Sequence, residues 1–193
     1  FGILFLGLSV MKDSVPDIEN NPDVLAFLAQ FAEPSYLSII GFVFVGTLLT
    51  IAVQSSSAAM AITLTMAFAG WISFPIAAAI VLGENIGTTV TAYLASLGMN
   101  VGARRTARAH MLFNLIGVVW ILVLFFPFVR MIDGLVPGSV TNPEHLPFHL
   151  SAFHSVFNIL NTGLLVFFVP GIARIARAWI PDAPEDPRAG HLT

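Results

Sequence analysis

Thr50-Ile51-Ala52-Val53-Gln54-Ser55-Ser56-Ser57-Ala58-Ala59 sets four polar residues in a row inside apolar sequence. Around it, from Pro34 to Ala103, Glu84 is the only Asp, Glu, Lys or Arg. Polar groups in hydrocarbon are costly unless protein, water or a solute satisfies them. A chain that keeps four of them there is expected to pass or bind something polar. The first reading is a transporter, with this cluster in its site.

The composition agrees. Hydrophobic residues make up 56% of the 193 residues and charged residues 10%, against about 25% charged in soluble domains; mean hydropathy is +0.87. The length has room for about five or six spans of about 20 residues in one integral domain. There is no cysteine, which removes disulfides and thiolate metal sites. Phe1 to Met11 is too short to span and lacks a signal peptide's basic front and cleavage site. Residues 1–11 are expected to be the end of a transmembrane helix truncated by a fragment boundary. Residues 12–33 read as a loop with five acidic side chains, Asp13, Asp17, Glu19, Asp23 and Glu33. Val24, Leu25, Phe27, Leu28 and Phe31 suggest a short interfacial helix within it. Residues 34–170 form the expected transmembrane transport domain, and residues 171–193 a cytoplasmic tail.

The expected fold is an all-α integral membrane protein with broken helices or a re-entrant hairpin. Apolar segments on either side of Gln54–Ser57, and again around Gly83-Glu84-Asn85-Ile86-Gly87-Thr88-Thr89, are near or below spanning length. That pattern predicts half-helices meeting inside the membrane at two breaks. Arg104, Arg105 and Arg108 are expected in one short loop. His110 to Phe128 and Leu150 to Val169 are spanning candidates. The positive-inside rule places Arg104–Arg108 and Arg174–Arg177 in the cytoplasm, two spans apart.

A helix break exposes unpaired amides at the positive start of the next half-helix, and serine hydroxyls beside them complete an oxyanion site. The same hydroxyls, the Gln54 amide oxygen and freed carbonyls also suit a small hard cation such as sodium. The competing reading makes Ser55–Ser57 small packing residues bonded back to the preceding turn. For Glu84 two readings stand. It faces a cavity, holding a cation or a proton, because a bare carboxylate at a span's centre is expensive; or it lies in a loop near the interface. His110/Asn114 and His154/Asn158 repeat as H-x-x-F-N, one turn apart on a face. This is a poor metal set, so bracing of the breaks or capping of helix starts is expected instead. A serine nucleophile would need a base, and only His110 or His154 from elsewhere could supply it. No glycine-rich nucleotide loop and no basic aromatic surface for nucleic acid occurs.

Gly46-Thr47-x-x-Thr50-x-x-x-Gln54-Ser55-Ser56-Ser57-Ala58 followed by Gly83-x-Asn85-Ile86-Gly87-Thr88-Thr89-x-Thr91-Ala92 resembles the sodium/phosphate cotransporter family, bacterial relatives of the type II cotransporters. Arg104-Arg105-x-Ala107-x-Ala109-His110-x-x-Phe113-Asn114 is similar to it too. The resemblance implies two inverted repeats, each with a Q-S-S-S segment, meeting at a central site. This chain carries one such segment and resembles the second repeat. The first is expected before Phe1 in a parent chain, or from an antiparallel second copy. By the same resemblance, Ser55, Ser56, Ser57, Asn85 and Thr88 would bind phosphate. Gln54, Thr47, Thr50 and Thr89 would serve sodium, and Glu84, which the resemblance does not carry over, is expected to join them on its own chemistry. The expected function is sodium-coupled phosphate transport across an inner membrane, without an enzymatic cofactor. A phosphate exporter or other oxyanion carrier is the alternative within transport, and an intramembrane serine hydrolase the alternative outside it.

Overall fold

The computed structural model describes Leu6, Val10 and residues 34–142 and 144–181. The expected helix end at 1–11 is represented only by Leu6 and Val10, both helical. The expected acidic loop and interfacial helix at 12–33 lie outside the described residues.

Everything regular among the described residues is helical. Helix α1 (Tyr36–Val53) starts from a capping box in which Ser35 and Ser38 exchange side-chain and backbone hydrogen bonds. It ends at Gln54, whose φ of 56° and ψ of 22° are left-handed, a conformation uncommon outside glycine. Helix α2 (Ser56–Phe68) restarts at once, with Ser55 extended as its N-cap and accepting from the Ala58 amide at 3.3 Å. The break expected around Gln54–Ser57 is therefore a helix–helix junction at Gln54–Ser55. Helix α3 (Phe74–Ser96) follows with Pro75 in its first turn, then α4 (Val101–Val123) capped by Asn100, then α5 (Phe125–Leu135). Helix α6 (Leu146–Leu165) passes through one 3-10 turn (Val166–Phe168) into α7 (Val169–Trp179). α7 runs across the boundary drawn at residue 170, so the first part of the expected tail is helical.

By length and apolarity α1, α3, α4 and the continuous α6–α7 stretch can each cross a bilayer, whereas α2, with 13 residues, is short. At about 1.5 Å per residue it reaches about 20 Å, less than a hydrocarbon core of about 30 Å.

The second expected break does not occur. α3 runs unbroken through Gly83–Thr89. Its polar side chains donate to their own helix: Asn85 Nδ2 to the Val81 carbonyl, Thr88 Oγ1 to Glu84, Thr89 Oγ1 to Ile86 and Thr91 Oγ1 to Thr88. Hydroxyls satisfied in this way ride in an apolar helix without interrupting it. The glycines have a different task. A Cβ on Gly83 would meet the Val43 carbonyl and the Thr47 amide, one on Gly87 the Thr50 side chain, and one on Gly46 the Ile80 carbonyl. Gly83-x-x-x-Gly87 is thus a small-residue seam that lets α3 lie against α1.

Two further expectations are corrected. Arg104, Arg105 and Arg108 lie in the opening turns of α4, not in a loop. The Asn100 cap and helix-favouring Ala and Arg residues begin the helix early. His110 and His154 are consequently deep within α4 and α6, so neither H-x-x-F-N segment opens a helix. The core beneath the site is aromatic and aliphatic: Phe74, Phe125, Phe128 and Phe153 interlock edge to face, and Ile39, Ala77, Ala78 and Val81 are closed off from solvent.

Candidate functional site

Helix counting locates the polar residues before any contact is considered. Glu84 lies ten residues past Phe74 and twelve before Ser96, about 15 and 18 Å from the two ends of α3. His110 and Asn114 fall near the middle of α4, and His154 and Asn158 near the middle of α6. α3, α4 and α6 thus each carry these polar residues near their own middles, away from the helix ends.

These residues meet around one cavity of about 460 Å³, lined by Ser56, Ser57, Met60, Glu84, Asn85, Thr88, His110, Phe113, Asn114, His154 and Asn158. The start of α2 forms one wall. Its first amides, those of Ser56 and Ser57, have no carbonyl four residues back within the helix, and the positive end of the helix dipole lies with them. Both side chains are exposed. The Ser57 hydroxyl is also 3.2 Å from that of Ser55. Amides, hydroxyls and dipole together suit an anion's oxygens.

The opposite walls present oxygen. Asn85 Nδ2 donates to Val81 O at 2.9 Å, Asn114 Nδ2 to His110 O at 3.2 Å and Asn158 Nδ2 to His154 O at 2.8 Å. A carbonyl can only accept, so each amide must turn its nitrogen to its own backbone and its oxygen away from it. Glu84 is only 3% exposed. Its Oε1 accepts from the Thr63 hydroxyl of α2 at 2.6 Å, and its Oε2 is buried without a hydrogen-bond partner.

Of the residues expected to bind phosphate, the cavity gathers Ser56, Ser57, Asn85 and Thr88, while Ser55 stands behind them as the cap of α2. Of the expected sodium group it includes Glu84 alone. Thr47 Oγ1 donates to the Val43 and Gly83 carbonyls, Thr50 Oγ1 to Gly46 and Thr89 Oγ1 to Ile86. Thr47 and Thr50 lie on the α1–α3 seam, and Gln54 is exposed at the junction. The H-x-x-F-N residues, expected to brace or cap, bond within their own helices and line the cavity. Thr63 was not singled out in the sequence. Its signal is its place seven residues beyond Ser56, two turns along the same face of α2.

A family model described as Na+/Pi-cotransporter matches residues 3–133. Over 184 residues the chain is 31% identical to the provisionally named inorganic phosphate export protein YjbB of Salmonella typhimurium, covering 95% of this chain and 32% of that protein. It is 30% identical over 162 residues to the uncharacterized protein YqeW of Bacillus subtilis, 82% of this chain and 52% of the relative. Human sodium-dependent phosphate transport protein 2C is 42% identical over 93 residues, 46% of this chain and 15% of that protein. The chain spans about a third of the length of YjbB. No solved structure gives a significant match. A match over two thirds of the chain, on the segment that builds α1 to α4, settles its membership: the chain belongs to the Na+/Pi-cotransporter family.

Proposed function

We propose that this chain supplies a phosphate-binding half of a membrane transporter, working with a second half elsewhere in a longer protein or in an antiparallel copy. The observation that carries this is the mid-span cavity into which the start of α2 brings Ser56 and Ser57. Phosphate would take hydrogen bonds from those two hydroxyls and the first amides of α2, with Thr88 and Asn85 on the facing wall and Ser55 holding the turn. Polar groups gathered around a cavity inside apolar helices call for water or a solute there, which favours a transport role over a purely structural one.

Sodium as the coupling ion is supported by the family description and by the likeness to the human sodium-dependent protein. Export is the second reading, supported by the likeness to YjbB over nearly the whole chain. The family is one of transporters, not enzymes, which sets the serine-hydrolase alternative aside. The positive-inside rule supports an orientation with the α4 start and α7 facing the cytoplasm, in what we take to be the inner membrane. The Arg105 guanidinium donates to the Ile180 carbonyl at 2.8 Å, which puts both arginine clusters at one end of the bundle.

The test is uptake of labelled phosphate by vesicles carrying the full-length protein, with inward, outward and no sodium gradient. Ser56→Ala is expected to reduce flux strongly while the protein still folds and inserts. Unchanged sodium-dependent flux in Ser56→Ala would refute the site.

A further inference from the structure

The arginine end of the bundle holds more positive charge than its helices favour. Arg104, Arg105 and Arg108 occupy the opening turns of α4, and Arg174 and Arg177 lie on α7, which packs against α4. Arg104 and Arg108 are four residues apart on one helix, and Arg174 and Arg177 three apart on the other, spacings at which like charges repel. Arg104 also closes the first turn of α4, the positive end of its dipole, where a cation is disfavoured. Of these arginines, Arg177 is the one its helix dipole favours, in the last turn of α7. Among the described residues the acidic side chains are Glu84, Asp133 and Glu144, none of them on α4 or α7. An anion at this end would offset the crowded charge.

Level and surroundings say which anion fits. At about 1.5 Å per residue, the 34 residues of Leu146–Trp179 reach about 51 Å, against a hydrocarbon core of about 30 Å. With α6 filling the core, α7 lies in the headgroup layer. The Arg108 guanidinium sits 4.1 Å from the centre of the Tyr93 ring and 5.9 Å from that of Trp179, and donates to the Tyr93 hydroxyl at 2.7 Å. Its Nε is buried without a hydrogen-bond partner. Leu94 and Leu97 follow Tyr93 at the end of α3, and Ile175 and Trp179 stand among the α7 arginines, all four exposed. Arginines interleaved with aromatic and exposed apolar side chains suit a membrane surface. A free phosphate ion has no use for those apolar neighbours; a phospholipid covers them with its chains.

We propose that this end binds an anionic phospholipid, its headgroup held by Arg104, Arg108, Arg174 and Arg177 and its chains lying over Leu94, Ile175 and Trp179. Basic clusters at the ends of spans attract such headgroups by charge. None of these arginines lines the cavity of the candidate site, so the proposal stands or falls apart from the phosphate reading.

The test reads contact at Trp179. The full-length protein is placed in vesicles mixing phosphatidylglycerol and phosphatidylcholine, one of the two carrying bromine on its chains. Bromine quenches an indole that it touches, and the fluorescence that Trp179→Phe removes reports on this site. Brominated phosphatidylglycerol should quench it more than brominated phosphatidylcholine. Arg174→Gln with Arg177→Gln should cut that preference by roughly fivefold per arginine, and added salt should weaken it in the wild type. Arg130→Gln, on α5, should leave it unchanged. Equal quenching by the two lipids, or none by either, overturns the proposal. So does a preference that survives in the double variant, or one that Arg130→Gln lowers as much. Relief of quenching by inorganic phosphate would make the occupant a free anion and also overturn it. A preference that emerges only with Asp182→Asn, Glu185→Gln and Asp186→Asn would give the arginines to the acidic residues that follow in sequence, against a lipid.

Discussion

Thr63 and Glu84 show how one hydrogen bond fixes a costly group. Both are buried, and the 2.6 Å bond from the Thr63 hydroxyl is the carboxyl's one hydrogen bond among the described residues. Thr63→Val keeps the shape and removes the donor, leaving the carboxylate bare. It should lower the stability of the folded protein by about 1–3 kcal/mol, the cost of leaving a buried polar group unsatisfied. In a Glu84→Ala background the same change should cost much less, because no acceptor remains to strand. A double-mutant cycle by thermal unfolding in detergent measures the difference. Equal costs in both backgrounds would mean that the bond does not hold the carboxyl.

Among the elements, α1 and α3 form the scaffold and α2 is what they present. The seam predicts a sharp contrast between two glycines of the same bundle. Gly83→Ala places a Cβ against the Val43 carbonyl and the Thr47 amide, backbone that cannot yield cheaply. A loss of about 1–3 kcal/mol is expected, as for overpacking a close-fitted core. Gly41→Ala, in α1 with nothing within 4 Å of the added carbon, should be neutral or stabilising by up to about 1 kcal/mol, the helix-propensity difference. Unfolding midpoints of the two variants check the pair. The same seam explains a limit of sequence reading at this scale. Glycines, amides and hydroxyls in Gly83–Thr89 suit a broken helix and a tightly packed one equally well; only the partner helix decides. The break at Gln54–Ser57 was legible because four polar residues in a row are a local signal. It needs no distant partner.

For the whole molecule, the stretch from Pro34 to Ala103, with Glu84 as its one Asp, Glu, Lys or Arg, marked the membrane character, and the Q-S-S-S cluster marked one wall of the candidate site. What could not be read was the assembly of the walls. His110 and Asn114 join His154 and Asn158 across the cavity through packing of α4 and α6, contacts between residues more than forty positions apart. Their repeated H-x-x-F-N pattern marked them without saying what they face. The Arg cluster was misplaced in a loop because a helix cap, Asn100, outweighed the pull of charge toward a turn.

The central claim is that the cavity at the middles of α3, α4 and α6 is where phosphate sits, and labelling of an introduced thiol tests it most directly. Met60 lines the cavity one turn beyond Ser56, whereas Phe44, at the middle of α1, is 63% exposed on its outer face. In a full-length protein free of other reactive thiols, Met60→Cys should react with a water-soluble thiol reagent and Phe44→Cys should resist it in lipid. Phosphate at ten times its Kd should slow the Met60→Cys reaction by about tenfold, in proportion to the sites it fills. A Met60→Cys thiol that never reacts, or one that reacts equally fast with phosphate saturating, would contradict the account.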